Sequence, residues 1–214
     1  MKIQLACLIA AVVLQQHAMG QIVYQLPFAS SGNTIELAVS NSSVRATSNV
    51  TVSLQDAPDW LQFIEREHAI SSLAAGEEQS TAFVFSVAQS APVGVERALT
   101  FKIGDAKGES WTKEIRVSVS PPERFELFQN YPNPFNPTTA ISYQLPAGGQ
   151  VSLRIYNLIG QEVTVLVDEE RPAGFHTQSW NASAFPSGMY IYQLTAQSNG
   201  QERRIVRKTM MLIK

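Results

Sequence analysis

Apolar and polar residues alternate with a period of two along most of this sequence, a pattern that places every second side chain on one face of an extended chain and suits sheet rather than helix. The runs in the first half are Thr34–Ser40, Asn49–Gln55, Ser80–Ala88, Arg97–Ile103 and Trp111–Val119. Those in the second half are Thr139–Gln144, Gln150–Tyr156, Glu162–Val167, Phe175–Trp180, Gly188–Gln197 and Arg203–Ile213. Turn-forming clusters separate them, among them Asn41-Ser42-Ser43, Gly104 to Gly108, Pro146 to Gly149, Asn157 to Gln161 and Pro186-Ser187-Gly188. Many short strands at this spacing predict an all-β chain of two immunoglobulin-like β-sandwich domains in tandem. One segment reads differently: Glu65 to Leu73 (EREHAISSL) carries helix formers and predicts a short helical turn. Pro58-Asp59-Trp60-Leu61 predicts a corner that turns a large aromatic inward.

Charged residues make up only 16% of the chain and the net charge is -2. A binder of nucleic acid or another polyanion needs a clear cationic excess, so that class is set aside. The charge is unevenly divided. Residues 21–123 carry seven basic and twelve acidic side chains, whereas residues 124–214 carry eight and six. Much of the second excess lies in Arg203, Arg204, Arg207, Lys208 and Lys214.

Residues 1–20 read as a secretory signal. Lys2 supplies the positive start and Ile3 to Leu14 the apolar run, which is short for a membrane anchor. Ala18-Met19-Gly20 puts small residues at the positions that a signal peptidase reads, which predicts cleavage before Gln21. Cys7 is the only cysteine and lies within that run, so the processed chain is expected to have neither disulfide nor thiolate chemistry.

The joint between the halves is the stretch from Val117 to Pro146. Pro121-Pro122 cannot continue a central strand. Prolines 132, 134 and 137, interleaved with Asn130, Asn133 and Asn136, then make a rigid, non-repetitive segment before the next alternating run. The expected division is a signal at 1–20, a cargo sandwich at 21–120, a linker at 121–124 and a second sandwich at 125–214.

At the second sandwich the motifs fall in a specific order: YPNPFNPTTAISYQLP, VSLRIYNLIGQEV, AGFHTQSWNA, SGMYIYQL and KTMMLIK. This order closely resembles the type A carboxy-terminal sorting domain of the type IX (Por) secretion system of Bacteroidetes, whose immunoglobulin-like sandwich is shared with flagellar hook-capping proteins. The resemblance covers residues 124–214. It implies export through the periplasm to the cell surface or the extracellular medium. Its implied partners are the outer-membrane translocon and, in many such proteins, a sortase-like peptidase that removes the domain. Carried over by position, recognition by the translocon falls on Pro132, Asn133, Pro134, Gly188, Tyr190, Lys208 and Lys214. Residues 22–120 resemble, less specifically, the NEW3-type immunoglobulin-like modules appended to secreted bacterial enzymes, through Asn49–Leu54, Pro58 to Leu61, Phe83–Val87 with Ala91 to Gly94, and Trp111 to Lys113.

No constellation in the sequence points to catalysis. His68 and His176 fall one in each predicted sandwich, whereas a catalytic dyad or metal site needs partners that converge. His68 reads as a surface residue and His176 as a structural one beside a turn. Asp168-Glu169-Glu170 and Glu77-Glu78 read as solvated turns, and the Asn-x-Ser/Thr triplets at Asn41, Asn49 and Asn181 as turn chemistry. No phosphate-binding loop, nucleophile elbow, metal motif or other cofactor signature occurs, so neither catalytic residues nor cofactors are expected. Trp60 and Trp111 are candidate ligand-binding aromatics, since an exposed ring stacks on a sugar face. The expected function is a non-enzymatic binding or adhesion module that takes a polysaccharide or cell-surface ligand. Two alternatives stand beside it: a structural spacer or envelope component without soluble ligand, and a small secreted enzyme such as a glycosidase with paired carboxylates.

Overall fold

The computed structural model describes residues 3–10, 14–15, 22–198 and 202–214. The expected cleavage point between Gly20 and Gln21 lies outside the described residues. Among them there is no helix, and the chain divides into two compact units, Met1–Ser120 and Pro121–Lys214.

The first unit contains β1 (Ile3–Ala10), β2 (Leu14–Gln15), β3 (Val23–Leu26), β4 (Asn33–Asn41), β5 (Thr47–Asp56), β6 (Leu61–Phe63), β7 (Glu67–Leu73), β8 (Glu78–Val87), β9 (Arg97–Gly104) and β10 (Ser110–Val119). They form a sheet in the order β1-β4-β8-β6 and a second in the order β2-β3-β10-β9-β5-β7. All pairings in them are antiparallel except β3 with β10. The alternation read from the sequence sets the burial. Ile35, Leu37 and Val39 of β4 point inward, as do Val50, Val52 and Leu54 of β5 and Phe83, Phe85 and Val87 of β8. Fully burying side chains of this size stabilises by about 1.5–3 kcal/mol each before the entropy of ordering the chain is counted.

The expected helical turn at Glu65–Leu73 does not form. Residues 67–73 are strand β7, paired antiparallel with β5 from Thr47 to Ser53. The edge of β5 offers a ladder of hydrogen bonds and a core for Ile70 and Leu73, and these outweigh a weak local helix preference.

The second unit contains β11 (Glu126–Leu127), β12 (Thr138–Leu145), β13 (Gly149–Asn157), β14 (Glu162–Arg171), β15 (Gly174–Asn181), β16 (Gly188–Gln197) and β17 (Arg204–Leu212). Its sheets run β11-β12-β15 and β14-β13-β16-β17, antiparallel throughout. Ile141, Tyr143 and Leu145 of one sheet and Val151, Leu153, Ile155, Tyr192 and Leu194 of the other belong to one core. Asp168-Glu169-Glu170 belongs to strand β14, not to a turn. β14 ends its sheet, and charged side chains with two register shifts against β13 make that edge a poor template for another strand.

Leu153 is fully buried on the central strand β13, so a cavity left there cannot be relieved by solvent. Leu153→Ala is expected to cost about 2–5 kcal/mol. Urea unfolding followed by tryptophan fluorescence should show a lower midpoint with an unchanged slope.

Candidate functional site

The second unit gathers its sequence motifs at one end of the sandwich, and the aromatic residues explain how. The Trp180 indole, buried at the end of β15, meets three rings: Tyr190 edge-on at 5.4 Å, Phe135 at 5.5 Å and Phe185 at 5.8 Å. Phe135 belongs to the proline-rich segment, Phe185 to the turn after β15 and Tyr190 to the start of β16. One indole thus ties the distant proline-rich segment to the turn and strand start that follow β15. Aromatic pairs of this geometry add about 0.5–1.5 kcal/mol each beyond their buried area.

Hydrogen bonds fix what the rings bring together. The Asn133 side-chain oxygen accepts the Met211 backbone N–H at 2.9 Å, and Phe135 donates to the Met211 carbonyl at 3.0 Å. Ile213 N–H returns to the Phe135 carbonyl at 3.0 Å. The proline-rich segment therefore covers the last turns of the β17 edge. Pro132 and Pro134 both follow cis peptide bonds and, with Asn133, are exposed.

Behind them Asn130 is buried with both polar atoms of its side chain engaged. Its amide nitrogen donates to the Pro132 carbonyl at 3.0 Å and to Thr139 Oγ1 at 2.9 Å, and its side-chain oxygen accepts from Gln129 at 2.8 Å. Its backbone N–H donates at 3.0 Å to the Tyr192 hydroxyl, which itself donates to the Phe128 carbonyl at 2.9 Å. Burial pushes the Tyr192 phenol up to about 12, the backbone bond from Asn130 opposing it. Asn130 and Tyr192 hold the segment in place, a role that the sequence alone did not assign to them.

The other expected recognition residues divide. Gly188 opens β16 at φ +150, a conformation that L side chains rarely adopt, so the turn into the strand requires glycine. Tyr190 is buried, and its hydroxyl donates to the Pro186 carbonyl at 2.7 Å, holding that same turn. Lys214 donates from Nζ to the Ser183 carbonyl at 2.8 Å and from its backbone to Ser187 Oγ at 3.1 Å. Pro132, Asn133, Pro134, Gly188, Tyr190 and Lys214 therefore share one end. Lys208 does not: it sits opposite Tyr192 in mid-strand, with the inward parity of Met210 and Leu212. An inward charge on an edge strand discourages further strand addition.

In the first unit the candidate aromatics give no open platform. Trp60 and Trp111 are both half-buried and packed against the core. Leu61 N–H bonds the Pro58 carbonyl at 2.9 Å, closing the expected corner, and Leu61 is the residue fully turned inward. His68 is half-buried rather than on the surface. Its ring meets Phe83 edge-on at 4.6 Å, Nδ1 lies 3.6 Å from Glu65, and Nε2 is buried without a hydrogen-bond partner. His176 stacks on Tyr143 at 5.2 Å and its Nε2 lies 2.9 Å from the Pro172 carbonyl, in keeping with a structural role. Among the described residues, no group of three His, Cys, Asp or Glu side chains could hold a metal ion.

A feature not expected from the sequence lies at the opposite extreme of polarity. Fully buried Asn41 donates to the carbonyls of Arg45, Leu73 and Ala74 at 2.8, 3.0 and 3.1 Å, and accepts from Ser43 N–H and Oγ. Nearby, Asp105 accepts from Lys107 N–H and Glu109 N–H, each at 3.0 Å, and from the Thr47 hydroxyl at 3.4 Å. The loops 42–46, 74–77 and 105–109 are thereby fixed at one end of the sandwich, and Val44 is presented there at 93% exposure.

Residues 129–208 match the family described as "Secretion system C-terminal sorting domain". No curated protein matches the sequence. Among solved structures, the chain is similar to dimeric latent PorU from Porphyromonas gingivalis at 11% identity and a TM-score of 0.34, over 97% of this chain and 20% of that one. It spans a fifth of that structure's length. It is also similar to the CupB2 chaperone of Pseudomonas aeruginosa, at 12% identity and a TM-score of 0.29, over 90% of this chain and 99% of that one.

The Tyr192 contact has a pH signature. The unfolded phenol ionises near 10 and the folded one near 12, so above pH 10 the folded state holds the extra proton. Stability is unaffected below pH 10 and falls as the pH rises from 10 through about 12, by a total of about 2–3 kcal/mol. Tyr192→Phe should flatten that decline and cost about 1–3 kcal/mol at neutral pH, because the Asn130 N–H loses its partner. Chemical unfolding at a series of pH values measures both effects.

Proposed function

Starting from residues 129–208 as a type IX secretion sorting domain, we propose that this chain is an exported, non-enzymatic binding protein whose first sandwich is the cargo. The sorting domain itself directs the chain to the cell surface or the extracellular medium, and it implies engagement with the type IX machinery. The proposal adds which parts do what. The sandwich end that carries Pro132, Asn133, Pro134, Gly188 and Lys214 faces the translocon. Residues 121–124, which lie outside regular structure, are where a sortase-like peptidase would cut.

The observation that carries the binding role is the three-loop end of the first unit. Loops held by buried Asn41 and Asp105 are pre-organised, so little entropy is lost when they meet a partner. Val44 stands exposed on one of them, a poor place for an apolar side chain unless it makes a contact. A cell-surface macromolecule suits these loops better than a lone sugar ring, because Trp60 and Trp111 are spent on the core. Those same two rings favour the spacer as the second reading, since a spacer needs a core and no platform.

Arrays of bacterial surface glycans and of intact cells, probed with the processed full chain, separate the two. Binding that falls at least tenfold in Val44→Asp, with unchanged thermal unfolding, is the expected result. Absence of binding to every glycan and cell type would leave the spacer.

A further inference from the structure

The hairpin between β13 and β14 ends in a turn that breaks the rules of its surroundings. Gly160 N–H bonds the Asn157 carbonyl at 3.0 Å, Gln161 N–H bonds the Asn157 side-chain oxygen at 2.9 Å, and Gly160 sits at φ +81. The turn is thus well tied. Its two central positions, where Asn, Asp, Ser or Gly would be ordinary, hold Leu158 and Ile159, exposed at 64% and 86%. Two aliphatic side chains held out on an ordered tip contribute nothing to this fold.

Their location gives them a use. Register puts Asn157 across from Tyr190, Gly188 across from Leu212 and Phe135 beside Leu212, so the tip projects from the same end as the proline-rich segment. Tyr131, Met189, Met211 and Ile213 are also exposed there. With the tip they make six of the twelve exposed large apolar residues among those described. Such concentration marks a contact surface.

Charge decides what kind of surface it meets. The hairpin from Gly149 to Arg171 carries two arginines against Glu162, Asp168, Glu169 and Glu170. Arg154, the cation nearest the tip in sequence, is bonded to Glu162 and to Asp168 at 2.8 Å each. Arg171 is paired with Glu169. A tip that entered an anionic lipid surface would be flanked by free Lys or Arg, whereas the charges nearest this one are Glu162 and the doubly paired Arg154, and Lys214 at the same end is held on the Ser183 carbonyl.

We propose that Leu158 and Ile159 are the apolar anchor of the sorting domain, inserted into a hydrophobic groove of the outer-membrane secretion machinery rather than into lipid. This rests on the sorting-domain reading above and names the residues that make the contact. Burial of both side chains yields affinity concentrated in a small anchor, while the tied turn keeps the ordering cost low.

The test uses the full chain expressed in a host with a type IX system, with surface, medium and periplasmic fractions quantified. L158S/I159S is expected to reduce surface and medium protein at least tenfold and to raise the periplasmic pool, with thermal unfolding unchanged because neither side chain is packed. Ile64→Ser, which removes a comparably exposed apolar residue from the other unit, should export normally. Normal export of L158S/I159S would overturn the anchor. Removal of residues 121–214 distinguishes the two levels: if the truncated chain is still exported, the sorting reading itself fails. Flotation with phosphatidylethanolamine–phosphatidylglycerol vesicles closes the lipid alternative. Binding there that depends on Leu158 and Ile159 would overturn the assignment to a protein groove, and no flotation is expected.

Discussion

Burial of the Trp180 indole against Phe135, Phe185 and Tyr190 is the contact on which the carboxy-terminal sandwich end depends. A proline-rich segment cannot donate a full ladder of backbone hydrogen bonds, so pairing alone could not hold residues 131–137 on a sheet. The Phe135 ring gives that segment an apolar foothold. Once it is seated, the few donors and acceptors that remain find partners on Met211 and Ile213. The glycine turn at Pro186 to Gly188 and the terminal Lys214 are held around the same indole through Tyr190, Phe185 and Ser183.

The two units solve a shared problem with the same side chain. Asn41 in one and Asn130 in the other are buried amides that satisfy carbonyls in loops and at a strand end. A buried amide is costly unless every polar atom is engaged, and here the engagement is what fixes the loops. Both end up beneath an exposed surface: the Val44 loops in the first unit and the proline-rich segment in the second.

Edges show a division of labour in the second unit. β14 has acidic residues and register shifts, and β17 has Lys208 turned inward and the 133–135 segment laid along its last residues. An exported sandwich must avoid pairing with other chains, and these devices make edge pairing poor. The same reasoning gives Lys208 a structural purpose on its own strand.

Strand positions, the all-β class and the order of motifs were legible in the sequence because a period of two and a turn cluster are local properties, fixed within a few residues. Gly160 at its positive φ, the Asx turns at Asn41 and Asn181, and the inward faces of β4, β12 and β13 all follow from such local rules. The segment 65–73 was misread for the complementary reason: its local preference was weak, and the free edge of β5, contributed by residues some twenty positions earlier, decided its conformation. Tertiary structure alone gathered Pro132, Gly188 and Lys214 at one end and left Lys208 apart, since sequence order says nothing about which strand ends lie together. It also left Leu158 and Ile159 standing in solvent, because exposure depends on what packs above a side chain and not on how apolar it is.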